Sequence, residues 1–263
     1  MTSAVHRIVA MCFALFALTV SACADEAKSP AGEKLELIAG EGVASDGAYM
    51  AGLSLTMAEG WHTYWRHPGD SGIAPQFDWT GSRNLRSVEV LWPVPERFDA
   101  PEDVTYGYAA HVIWPLRVVP VDPALPVEIK LRMYYGVCLD ICVPVEAQLG
   151  LTLPEGRRGN ETSAINTFLD RVPVAPENPD DVTVSLIDDA LHITLKVTTD
   201  APVVIVEGPK NIWFGASRAK RTGDDITYEV PIENNSGASL IGAEVRLTFS
   251  GPDTALEATR KLK

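Results

Sequence analysis

Cys138 and Cys142, four residues apart, are the two side chains in this 263-residue chain whose type and spacing could do chemistry together. They bracket Leu139, Asp140 and Ile141 in a segment that runs from Tyr134 to Glu146. Residues four apart on a continuous strand lie about 13 Å from each other, whereas a disulfide needs Cα atoms within ~7 Å. The chain is therefore expected to bend at Leu139–Ile141, in a tight turn or a single helical turn between two strands that presents both sulfurs at one end of a sandwich. So small a ring is a weak staple, since loop closure contributes about 2 kcal/mol for five residues against about 3 for fifteen. Such a bond suits opening and closing. Thiol-disulfide exchange needs a reachable sulfur and a second cysteine to resolve the mixed disulfide, and this spacing supplies both. An inert structural disulfide stays open as an alternative. So does a metal site, although two thiolates alone do not close a zinc tetrahedron.

The compartment bears on that chemistry. His6 and Arg7 precede an apolar run from Ile8 to Val20 that is too short to span a bilayer, so residues 1–24 read as an export signal. Two processing schemes fit. Ala22-Cys23-Ala24 before Asp25 suits ordinary signal peptidase, while Val20-Ser21-Ala22-Cys23 suits a lipobox in which Cys23 is lipidated. Of four cysteines, Cys12 lies inside the signal and Cys23 at its end, leaving Cys138 and Cys142 in an oxidising compartment where a pair is expected to form a disulfide. The net charge of −13 argues against nucleic acid or an anionic membrane as partner surface, with a lipid on Cys23 as the one membrane attachment.

The elements that must position the pair read as strands. Short runs of β-branched and apolar residues broken by Gly, Pro, Asn and Asp predict an all-β chain. In residues 33–155 strands are expected at Lys34–Ala39, Tyr49–Met57, Ser87–Leu91, His111–Val119, Val127–Tyr135 and Glu146–Leu153, a spacing that suits a β-sandwich. Residues 156–180 read as one helix, Glu161–Arg171 with Asn160 as cap, followed by a proline-rich linker. Residues 181–263 form a second, smaller β domain with strands at Val182–Ile187, Leu191–Val197, Val203–Glu207, Ile226–Ile232 and Glu244–Phe249. It has no cysteine and one histidine, His192, at a polar position, and reads as a scaffold or docking module. A Gly-rich phosphate loop, a Gly-x-Ser-x-Gly elbow and a His-Glu-x-x-His run are all missing from the sequence, so those enzyme classes drop out and no cofactor is expected.

Around the cysteines, Trp61, His62, Tyr64, Trp65 and His67 read either as a rim of the site or as sandwich core followed by a turn at His67–Asp70. Glu102, Asp103 and Asp140 are carboxylates that would raise a nearby thiol's pKa, or else solvated loop acids. His62, His67 and His111 with the two cysteines are candidate soft ligands for copper.

The run Tyr135 to Pro144, with Gly60 to Arg66 upstream and Tyr106-Gly107 between, resembles the N-terminal periplasmic domain of the thiol:disulfide interchange protein DsbD. It is similar too to the copper-sensitivity suppressor proteins of the ScsB type. The resemblance covers about residues 35–155 and implies an immunoglobulin-like sandwich that passes reducing equivalents through Cys138 and Cys142 to thioredoxin-like exported proteins. Neither a membrane domain nor a thioredoxin-like domain is found in the sequence, so a separate membrane electron donor is implied. Cys142 takes the position that forms the mixed disulfide, and Tyr64 that of a family tyrosine near the site. The aromatic cap falls on Thr105, which leaves Tyr106 or Tyr108 as candidate caps and Asp103 and Tyr106 as candidate site environment. A non-catalytic β-sandwich binding or assembly protein with a structural disulfide is the competing reading, and a periplasmic copper-binding protein a further one.

Overall fold

The computed structural model describes residues 31–43, 46–100, 103–153, 161–197, 200, 202–210, 212–233 and 240–263. The export signal, the lipobox Cys23, Glu102 and the helix cap Asn160 lie outside them.

Ten strands build the first half. They are β1 (Lys34–Val43), β2 (Tyr49–Thr56), β3 (His62–Gly69), β4 (Gln76–Asp78) and β5 (Leu85–Val90), then β6 (Glu96–Ala100), β7 (Asp103–Ala109), β8 (His111–Pro120), β9 (Val127–Cys138) and β10 (Cys142–Leu153). One antiparallel sheet has the order β1-β2-β8-β5; the other has β10-β9-β3-β7-β6, with β4 also paired to β9. Period-two alternation decides which side chains meet between them. Leu53 and Leu55 of β2 and Trp114, Leu116 and Val118 of β8 face Trp65, Tyr108 and the odd-numbered residues Val127 to Val137 of β9 in one core. The one α-helix among the described residues, α1 (Thr162–Leu169), packs against β8 through the fully buried Ile165, and its N-cap is Glu161, without a side-chain capping bond.

A second pair of sheets follows. β11 (Val182–Ile187), β12 (Ala190–Lys196), β14 (Arg218–Thr222) and β15 (Asp225–Pro231) have the order β11-β12-β15-β14, and β13 (Val203–Glu207), β16 (Glu244–Gly251) and β17 (Thr254–Lys261) the order β13-β16-β17. Their apolar faces enclose a second core around Ile193, Leu195, Ile226, Tyr228, Leu247 and Phe249. The halves are joined by more than a tether. Ile205 of β13 is buried within the first core, and Ser250 donates to the Pro95 carbonyl. Arg66 of β3 pairs with Glu207 at 2.7 Å and also with Glu257.

The fold is all-β, as expected, but six strands carry no readable alternation. β3, β4, β6 and β7 are short, bent or interrupted by Gly and Pro, β14 is exposed throughout, and β17 mixes small and charged residues. The turn expected at His67–Asp70 is the bulged end of β3. Its register with β7 slips between Tyr64 and Gly69, where Pro68 has no N–H to donate and Gly69 has φ 88°.

Candidate functional site

β9 and β10 form a hairpin whose turn is Leu139-Asp140-Ile141. Cys138 and Cys142 are direct cross-strand partners at its closed end. Directly opposed residues of an antiparallel pair have Cα atoms about 4.5–5.5 Å apart, inside the window a disulfide requires. Because Val137 and Val143 point to the core, both cysteines point to the outer face of the six-stranded sheet. The structure holds them as thiols with Sγ atoms 3.1 Å apart.

The third wall of the site comes from β3, which lies beside β9 with His62 opposite Cys138 and Thr63 opposite Val137. Thr63 Oγ1 donates to the Gly136 carbonyl at 2.8 Å and locks that register. Trp65 fills the core, so His62 and Tyr64 share the cysteines' face. The Tyr64 hydroxyl bonds Cys142 Sγ at 2.6 Å. Its ring can lie flat against the sheet because Gly136 has no side chain: a Cβ there would stand 2.9 Å from Tyr64 Cε2 and 2.8 Å from Ile73. Gly72 covers the other side, where a Cβ would lie 2.6 Å from Tyr64 Cδ1. Tyr64 is thereby 1 % exposed on what is nominally the outer face of a sheet.

Burial governs the protonation states. Burial raises the Cys138 thiol's pKa, and the neighbouring Cys142 and the Asp140 charge push the same way, against the Tyr64 bond. Burial likewise pushes Tyr64 above the ordinary phenol range, helped by its bonds to Cys142 and Cys138. His62, stacked on Phe98 with ring centroids 4.3 Å apart and edge-on to Tyr64 at 5.5 Å, has its pKa lowered by burial and is a neutral imidazole at pH 7. The two sulfurs differ in access: Cys138 is 8 % exposed, whereas Cys142 is only partly buried. A half-accessible thiol backed at 3.1 Å by a covered one, with a hydroxyl on the first, can form and resolve a bond to an outside sulfur.

Residues 35–154 match the family model described as thiol:disulfide interchange protein DsbD, N-terminal. Residues 171–263 match a second model, described as a domain of unknown function (DUF8393). Among solved structures, the chain is similar to the N-terminal periplasmic domain of ScsB from Proteus mirabilis, at 20 % identity and a TM-score of 0.68, covering 88 % of this chain and 91 % of that one. That likeness is one of fold, and it extends through both pairs of sheets. No curated protein matches the chain in sequence. Among the described residues no helix is long and apolar enough to cross a membrane.

Within the part that matches the DsbD N-terminal model, the candidate residues separate. Cys138, Cys142 and Tyr64 come together. Asp103 does not reach the sulfurs; it accepts from Ser71 Oγ, while the neighbouring Asp70 accepts from the Val104 N–H, so these acids brace the loop that carries Gly72 over Tyr64. Tyr106 stacks on His67 with centroids 6.4 Å apart, and Tyr108 is a core residue whose hydroxyl donates to the Pro93 carbonyl. Neither tyrosine covers the cysteines. His111 lies on the other sheet, bonded to Ser54, so the five candidate copper ligands are not gathered. Among the described residues no group of three or more His, Cys, Asp or Glu is placed to hold a metal ion. His192, on β12 in the second pair of sheets, lies opposite Ser185 and Glu229.

Three residues of the site were not singled out from the sequence. Gly136 and Gly72 make room for the Tyr64 ring, and Phe98 stacks on His62 from the position opposite Thr105 on β6. Each depends on a contact between distant segments. The flanking Tyr-Gly and Asp-Ser-Gly runs are the only local signal, and turns have the same composition.

Proposed function

We propose that the chain is an exported thiol-disulfide interchange module that works through Cys138 and Cys142 in the periplasm. The observation that carries this reading is the asymmetry of the pair: Cys142 accessible at the end of a hairpin, Cys138 covered behind it at 3.1 Å, and the Tyr64 hydroxyl 2.6 Å from Cys142. The match of residues 35–154 to the DsbD N-terminal model supports it.

In the reducing direction the Cys142 thiolate attacks one sulfur of a partner disulfide. A Cys142–partner bond forms, the partner's S–S bond breaks, and its second sulfur leaves as a thiolate with the electron pair. Cys138 then gives up its proton to solvent and attacks Cys142 Sγ. The Cys138–Cys142 disulfide forms, the mixed disulfide breaks, and the partner's first sulfur departs as a thiolate. Two electrons have moved to the partner. The high pKa that burial imposes on Cys138 suits the second step, because a protonated thiol waits while the outside bond is made. The Tyr64 hydroxyl donates to the Cys142 thiolate whenever it is formed. Thioredoxin-like exported proteins are the partners of this reading, with a separate membrane electron donor restoring the dithiol. Phe98, opposite Thr105 on β6, supplies the aromatic ring on the site's flank that Thr105 lacks. Cleavage at Ala24 or lipidation of Cys23 would release or anchor the mature chain, and the soluble or membrane fraction in which it is found distinguishes the two.

The test is the pair's reduction potential, measured by equilibration in dithiothreitol or glutathione buffers. A value between about −300 and −120 mV fits exchange with thioredoxin-like proteins, and one far below about −300 mV marks an inert structural bond.

A further inference from the structure

The turn that joins the cysteines is the least covered part of the site. Ile141 is 76 % exposed, more than any other large apolar side chain among the described residues, and Leu139 is 47 % exposed. Large apolar side chains held in water beside a reactive atom mark a surface that another protein covers. Their positions are held: the turn is pinned at both ends by the Cys138–Cys142 register, and Gly60 lies so close beneath that a Cβ there would be 3.0 Å from Leu139 Cδ1. Ile141 adjoins Cys142, the less covered of the two sulfurs, in the chain. Asp140 and Glu59, both exposed, add negative charge next to that apolar pair on a chain of net charge −13.

We infer that Leu139 and Ile141 are the recognition element for a protein disulfide whose reactive cysteine sits in an apolar collar with a neutral or basic rim. Asp140 and Glu59 repel partners with acidic rims. The inference rests on the exchange reading and adds the surface that chooses the partner. An apolar contact of this kind lowers the free energy of the encounter complex and leaves the sulfur chemistry alone, so a small disulfide gains nothing from it.

The experiment compares wild type, Ile141→Ser and the double variant Leu139→Ser/Ile141→Ser, all reduced and all checked for unchanged melting. Two oxidants are used: neutral hydroxyethyl disulfide and an oxidised thioredoxin chosen for an apolar collar with a neutral or basic rim around its reactive cysteine. The expected result is a rate with hydroxyethyl disulfide within about twofold of wild type for both variants, and a rate with thioredoxin that falls about tenfold in the double variant. Equal losses with both oxidants would overturn the inference, because the turn would then be acting on the sulfurs and not on the partner. No loss with thioredoxin, or a wild type that reacts no faster with thioredoxin than with the small disulfide, would overturn it and leave the exchange reading standing. A concentration-dependent dimer of wild type that Ile141→Ser abolishes would overturn it too, by making a second copy the occupant of that surface. A wild type inert to both oxidants would overturn the exchange reading first and the inference with it.

Discussion

Tyr64→Phe removes one oxygen from the site and leaves the ring between Gly72 and Gly136 in place. The lost bond is the 2.6 Å contact to Cys142 Sγ. A hydrogen bond to a neutral group contributes about 0.5–1.5 kcal/mol net and one to a charged group about 1.5–3. Spanning the boundary of those two ranges, this bond contributes about 1–2 kcal/mol in the dithiol form. A disulfide sulfur is a poor acceptor and carries no charge, so little of this remains once the pair is oxidised. The substitution therefore destabilises the reduced form selectively. Since 30 mV corresponds to about 1.4 kcal/mol for a two-electron couple, the potential should become more negative by about 20–40 mV. Redox-buffer titration with alkylation and mass readout gives the potential. Paired thermal melts close the cycle, the reduced form losing more stability than the oxidised form by that same amount, about 1–2 kcal/mol. A potential unchanged within about 10 mV, with equal losses in both forms, would make Tyr64 a packing residue only.

Gly136→Ala should cost about 1–3 kcal/mol in urea denaturation, because its Cβ meets Tyr64 Cε2 and Ile73, and the displaced ring should reproduce part of the Tyr64→Phe shift in potential. His62, His67 and His111 all have pKa values lowered chiefly by burial. Their unfolded pKa is about 6.5, so the unfolded chain binds protons first; their contribution is complete above that pH and is lost as pH falls below it, and urea midpoints at about pH 7.5 and 5.5 should show a drop that His62→Phe makes smaller. Arg66→Met strands Glu207 and Glu257 without their partly buried cation and should cost about 2–4 kcal/mol by the same assay, with partial recovery when Glu207 is also made Gln. Exchange with a small dithiol should survive Arg66→Met, since its contacts lie with the second pair of sheets and not with the sulfurs.

What was legible in the sequence follows from how local the controlling interaction is. The strands at Lys34, Tyr49, His111, Val127 and Val182 announce themselves by alternation, because each buries one face against a core. A bend at Leu139–Ile141 was legible from geometry alone, since two cysteines that are to meet at this spacing cannot lie on one continuous strand, while the choice of a hairpin turn over a helical turn is set by the pairing of β9 with β10. β3 was not. Its run holds Trp65 inward, Tyr64 outward under a loop and Arg66 toward the other half, so both faces are covered and the polar-apolar rhythm vanishes. The reach of Arg66 to Glu207 and Glu257, and the distance of Asp103 and Tyr106 from the sulfurs, are set by pairings between segments far apart in the chain. Nothing in composition or spacing records those pairings.

Exchange through this pair requires Cys142 to make the bond to an outside sulfur and Cys138 to break it. Cys138→Ser leaves an attacking thiolate with nothing to resolve it, so incubation with an oxidised thioredoxin-like protein should accumulate a covalent complex on a non-reducing gel, while Cys142→Ser should trap little. The reverse pattern would contradict the assignment of roles, and no complex with either variant would contradict the exchange function itself.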